Sequence, residues 1–389
     1  MPSTSSLLVS ALAATAVTAG PLTKRSASID ITQVPGPIDA TAAAQKAFAR
    51  LSGNTGAASG SATSPETLDA GFWFGNFTVG KATGLSLLID TGSADVAVNP
   101  GKYKASSSSK ALGRSGRLQY ITTQENGCGA ADVSYNAYSD VVSQAGLVSP
   151  QQTFGNITKT TPPDSGTITQ FPHDGIVGFS GTSQYDSQSR GVPFFQSLCN
   201  ANAVSSCRFG LAFGTSGNGK QVLGALDSTL YTGSMTTVDI ESQWTVTGNS
   251  AVNGQTLQSN QNFILDSGTA NVIGPQSQVK ALFKKLGLQA VEQNLPGCAQ
   301  TLFGYYQCDK PPTVGFSFGD GKVYNIEPSA FKLADNGNNN CTAIVTGLDF
   351  DGSGSSDWIL GQAWFQGKYI DHNSDQSTVG IATLKNKAG

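Results

Sequence analysis

Two aspartates occupy the same place in a repeated phrase. Leu88-Ile89-Asp90-Thr91-Gly92-Ser93-Ala94-Asp95-Val96 returns, lightly edited, as Ile264-Leu265-Asp266-Ser267-Gly268-Thr269-Ala270-Asn271-Val272. Each copy sends an apolar β-type run into an Asp, then turns on Gly with a hydroxyl on either side. The aspartates are 176 positions apart, which implies two similar halves that each bring one carboxylate to a shared place. Two close carboxylates cannot both ionise, so one pKa rises and the pair holds a single proton. A pair in that state can take a proton from water while giving one to a carbonyl oxygen.

The elements around each Asp select these two copies. A third Asp-Ser-Gly-Thr, at Asp164, follows Thr160-Thr161-Pro162-Pro163. Pro lacks an N–H and fixes φ, so that run is no central strand and Asp164 reads as a surface turn. Asp90 and Asp266 follow Leu85–Ile89 and Asn262–Leu265, short apolar runs of buried-strand type. The repeat reaches further downstream. Asp174-Gly175-Ile176-Val177-Gly178-Phe179 follows the first Asp and Trp358-Ile359-Leu360-Gly361 the second. Gly178 and Gly361 lie 88 and 95 positions beyond their Asp, and Gly there lets another backbone pass closely. Strand signals dominate from Phe72 onward, with a hairpin over Gly315–Ile326. The best helix is Ser277–Leu286, with Val279, Leu282, Phe283 and Leu286 on one face.

Composition excludes several classes. At 389 residues the chain can bury two cores. Net charge is −3 with only 13% charged residues, which gives no basic patch for nucleic acid. Leu7–Ala19 has signal-peptide character, ending Val17-Thr18-Ala19, and no other stretch is apolar enough to span a membrane or anchor the chain. Residues 20–69, with Lys24-Arg25, an Ala-rich helical stretch from Asp39 to Leu51 and a Gly/Ser/Thr linker, read as a prosegment and linker. Six Cys in an exported chain suggest three disulfides; Cys199 and Cys207 can close a local loop. There is no Cys-x-x-Cys and only two His, His173 and His372, so no metal is expected. Both His are read as surface residues beside turns. Asn76, Asn156 and Asn340 head glycosylation acceptor triplets. These features indicate a secreted protein, with the vacuole as the alternative destination.

With these residues in place, the chain resembles the pepsin-like aspartic proteases, in particular the fungal secreted members, over roughly Gly71 to Leu384. The two Asp turns, Asp174–Phe179 and Trp358–Ala382 match in order and spacing. The resemblance implies a mainly β, bilobal fold: an N-terminal lobe over 70–235 and a C-terminal lobe over 236–389, with a cleft between them. It implies that Asp90 and Asp266 form the catalytic dyad, supported by Thr91, Gly92, Ser93, Ser267, Gly268 and Thr269. Water is then the nucleophile, and no cofactor is needed. Substrates would be unfolded or extended polypeptides, cut at acidic pH by a monomer. Cys308 and Cys341 match a family disulfide. Cys128 and Cys298 are left over; their pairing, two free thiols, or Cys298 with Cys308 all stay open. Tyr135, within Val133–Ser139, matches the tyrosine of the substrate-covering flap.

The chain departs from the family at that flap, where Asn136 and Tyr138 replace small residues, and at Ala97, where the family has Trp. These departures motivate a rival reading, a protease-like fold that binds without cutting. Two other rivals are weaker. Gly315-Phe316-Ser317-Phe318-Gly319 fits a serine-hydrolase pattern, but Ser317 sits in a strand leading to a hairpin, where a nucleophile elbow needs a strand-to-helix turn. A glycosidase also uses two carboxylates, yet has no need of matched Asp turns.

Overall fold

The computed structural model describes residues 25–33, 71–124, 127–158, 171, 173–181, 189, 191–294, 300–348 and 357–387, without the side chains of 119–132. The expected signal peptide, the Ala-rich stretch, Asp164 and Cys298 lie outside that set, as does the Cys128 side chain. The chain folds into two large sheets of 13 and 11 strands.

Each sheet repeats one arrangement around its aspartate. In the first, Ala82–Asp90 runs parallel to Gly175–Gly178, which pairs antiparallel with Val96–Val98, itself parallel to Leu147–Ile157. In the second, Gln255–Asp266 runs parallel to Trp358–Gly361, which pairs antiparallel with Val272–Gly274, itself parallel to Val345–Leu348. Near-continuous apolar runs such as Ile176-Val177 and Trp358-Ile359-Leu360 suit strands covered on both faces. Asp90 falls opposite Gly178 and Asp266 opposite Gly361. Both glycines are obligatory: a Cβ on Gly178 would overlap the Ser93 carbonyl, and one on Gly361 the carbonyls of Asn271 and Thr269.

The predicted helix is Gln276–Leu286, burying Val279, Leu282 and Phe283 and ending on Gly287 at φ 69°. Left-handed Gly at that point closes the last turn, and Lys284 and Lys285 meet the negative end of the helix dipole. The predicted hairpin is Val314–Ser317 paired with Val323–Asn325, and Ser317 lies within the ladder opposite Val323. That geometry removes the serine-hydrolase reading.

Chain order and sheet membership diverge at both ends. Ala27–Gln33, inside the expected prosegment, is a strand between Asn218–Leu223 and Trp73–Val79, and its Ile31 is buried in the core. Lys368–Asn373 and Thr378–Leu384 return to the first sheet against Arg208–Phe213 and Tyr231–Asp239. The expected boundary between residues 235 and 236 falls within Tyr231–Asp239.

One apolar core runs through both sheets, and a second, smaller cluster packs Phe74, Leu88, Ala97, Leu118, Tyr135 and Ile176. Tyr135 therefore corrects the flap assignment. The hairpin of Lys110–Gln124 and Gly127–Gln144 pairs Gln124 with Gly127 at its end, far from Val133–Ser139. Tyr135 is buried mid-strand, its ring against Gly155 and its hydroxyl over Gly116, where a Cβ would crowd it. Gly116 and Gly155 make room for the Tyr135 ring, and Ala97, which pairs with Gly155, lies in the same buried cluster.

His372 is also corrected. It lies in Lys368–Asn373 and is fully buried, whereas His173 is exposed as expected. The turn suggested at Asn373 begins only at Ser374, after the buried strand has ended.

Candidate active site

Each Asp ends a buried strand and is held by its own turn. The Gly92 N–H donates to Asp90 Oδ1 at 3.0 Å and Ser93 Oγ to Asp90 Oδ2 at 2.6 Å. In the second turn the Gly268 N–H donates to Asp266 Oδ1 at 2.8 Å and Thr269 Oγ1 to Asp266 Oδ2 at 2.5 Å. Each carboxylate thus has one donor on each oxygen, from residues two and three positions later. Such bonds fix the plane of the group. Both aspartates are fully buried.

Four further bonds lock the turns together. Thr91 Oγ1 donates to the Leu265 carbonyl at 2.9 Å and accepts the Ser267 N–H at 2.8 Å. Ser267 Oγ donates to the Ile89 carbonyl at 2.8 Å and accepts the Thr91 N–H at 3.0 Å. The residue after each Asp therefore grips the other sheet's turn. All four donors are buried, so breaking the lock would leave orphaned groups at roughly 1–3 kcal/mol each. The turns also rest on their glycine strands: the Phe179 N–H donates to the Asp90 carbonyl at 2.7 Å, and the Gln362 N–H to the Thr269 carbonyl at 2.7 Å.

The Asp residues and their flanking Gly and hydroxyl residues thus come together, whereas Tyr135 does not join them. Sequence reasoning missed Trp244, whose Nε1 donates to the Phe179 carbonyl at 2.7 Å. A lone Trp ahead of a strand carries no signal for such a role. Among the described residues, the only His/Cys/Asp/Glu group close enough to suit a metal is Cys308, Asp335 and Cys341. Cys308 and Cys341 are joined as a disulfide, as are Cys199 and Cys207, so that group has no thiolate to offer.

The model of the family described as eukaryotic aspartyl protease matches residues 72–384. The chain belongs to this family. It is an aspartic-type endopeptidase, with polypeptides as the substrate class. An aspartic protease of Phaffia rhodozyma is 29% identical over 326 residues, covering 80% of this chain and 76% of that protein. Pepsin A of Sus scrofa is 28% identical over 332 residues, covering 80% and 81%. The crystal structure of the aspartic proteinase from Irpex lacteus superposes with a TM-score of 0.66 at 20% identity, over 94% of this chain and 99% of that one. That likeness establishes the bilobal β fold. Among the described residues no helix is long and apolar enough to cross a membrane.

Proposed function

We propose that Asp90 and Asp266 are the catalytic dyad of a secreted endopeptidase that works at acidic pH. The observation that carries this is the reciprocal lock of Thr91 and Ser267, which ties the two aspartate-bearing turns at their base. With one shared proton, the pair would bind a water; one carboxylate takes its proton as it attacks the peptide carbonyl, and the other protonates the carbonyl oxygen. The titration belongs to the pair, so neither Asp is assigned as acid or base alone. Raising the pH removes the shared proton and with it the activity.

Synthesis as a precursor follows from Leu7–Ala19 and the segment ahead of Gly71. Asn76 and Asn340 are exposed and suit glycosylation; Asn156, half-buried within a strand, suits it less. Extended substrates would lie across the cleft, and a monomer suffices, since one chain supplies both aspartates.

The test is cleavage of an acid-unfolded protein between about pH 2 and 7 by the processed enzyme and by Asp266→Asn, with and without pepstatin. Acidic, pepstatin-sensitive activity should fall by about 10²- to 10⁴-fold in the variant. Correctly folded wild type that cleaves nothing at any pH would overturn the assignment.

A further inference from the structure

His372 plays no part in the contacts of the catalytic turns, yet it sits where they are braced. Its ring is fully buried, and neither ring nitrogen has a hydrogen-bonding partner among the described residues. It stacks on Phe209 with centroids 4.4 Å apart and meets Trp244 edge to face at 4.9 Å. Trp244 in turn reaches both aspartate strands. Its Nε1 bonds the Phe179 carbonyl, and the Phe179 N–H bonds the Asp90 carbonyl. Its own carbonyl accepts the N–H of Leu265, the residue before Asp266, at 3.0 Å. One residue thus touches both turns, through its indole on one side and its backbone carbonyl on the other, and His372 forms a wall of the indole's box.

That box suits a neutral ring. Phe209 faces His372 from Arg208–Phe213, Val379 lies opposite on Thr378–Leu384, and Phe195 of the helix Phe194–Asn200 packs behind Phe209. None of them is charged. The ionisable neighbours are engaged elsewhere. Arg208 and Asp371 form a two-bond ion pair on the sheet's other face. The Asp375 carboxylate accepts the Cys207 N–H. Asp239 ends its strand opposite Thr378, and Glu241 lies in the turn before Trp244. A buried polar group with no partner calls for an explanation.

We propose that His372 is a positioning residue acting through Trp244, and that protonation of its ring loosens Trp244 and sets the lower pH limit at which the catalytic turns keep their geometry. This rests on the reading of Asp90 and Asp266 as the dyad. Burial drives the imidazole down to about 3; the Phe209 and Ile370 backbones lie close enough to favour a charged ring slightly, but outside hydrogen-bonding geometry. The unfolded chain takes up this proton as pH falls through 6.5, its ordinary value, and the native ring only near 3. Stability is therefore full above about 6.5, declines as pH falls, and levels off below about 3, with a total change of roughly 3,000-fold in the folding equilibrium.

Wild type and His372→Phe, which keeps an aromatic ring in the box, would be held at a series of pH values from about 2 to 6, returned to about pH 5 and assayed, with Trp emission recorded throughout. Equal activity at about pH 5 is expected, with wild type losing residual activity and shifting its emission near pH 3 and the variant holding to about one pH unit lower. Coincident midpoints would overturn the proposal. If the variant does not fold, NMR of wild type decides, because the chain has only two His. The His372 C2–H should report a neutral ring down to about pH 3, and a transition near 6.5 would overturn the proposal. A wild type inactive at every pH would sink the dyad reading instead, while emission and NMR still judge this one.

Discussion

At the scale of single residues, the proposed active site is a set of short side chains held by neighbours two or three positions away, plus one pair that is not local. The local part could be read in the sequence, because an Asp followed by Gly and a hydroxyl residue can make its bonds within its own turn. The reciprocal hold of Thr91 and Ser267 could not, since it joins residues 176 positions apart. Its importance can be measured. Thr91→Val keeps the shape but removes the acceptor for the Ser267 N–H and the donor to the Leu265 carbonyl. We expect about 2–4 kcal/mol of lost stability and a drop in kcat larger than any rise in KM. Thr91→Ser, which retains both bonds, should recover most of each. Equal melting temperatures and kcat for all three proteins would show that the lock is dispensable.

At the scale of elements, the repeat was legible because both halves need the same junction of strand, turn and crossing strand. Gly178 and Gly361 marked it, and each is opposite its Asp. Gly361→Ala should cost about 3 kcal/mol, the upper end for an added methyl, because the Thr269 and Asn271 carbonyls it meets belong to the segment that follows Asp266 and cannot yield independently. Chemical denaturation would show the loss, and a stability within error of wild type would mean that the turn has slack. Alternation along Val133–Ser139 was visible too, but a flap strand and a lobe strand alternate alike. Only the hairpin's register, turning after Gln124, places Tyr135 in the core. The same ambiguity hid His372, whose burial depends on Phe209 and Trp244 arriving from distant segments.

At the scale of the whole molecule, an enzyme that works in acid as proposed must keep its fold there. Asp140 illustrates how. Burial alone would raise its carboxyl, but bonds from the Ser106 hydroxyl and N–H, Tyr103 Oη and the Val141 N–H hold it down to about 2. Its contribution is complete above 3.8, the ordinary value, and disappears only as pH falls through 2. Asp140→Asn should therefore lose about 2 kcal/mol at pH 5, and the gap to wild type should close below about pH 2. Thermal melts across that range test this, and a gap independent of pH would show that charge is not the source. His372 has the same sign, because its native value is also lowered and its contribution is likewise lost as pH falls; the two fade over successive ranges, His372 between about 6.5 and 3 and Asp140 between 3.8 and about 2. The interleaving of the chain ends carries a consequence for biosynthesis. Arg208–Phe213 obtains one of its two sheet partners, Lys368–Asn373, only from the far end of the chain. During translation that strand waits with an open edge until nearly the whole polypeptide has left the ribosome, a template for pairing with other nascent chains. The first lobe cannot be a finished folding unit, and a message truncated before Lys368 would yield an aggregating product instead of half an enzyme.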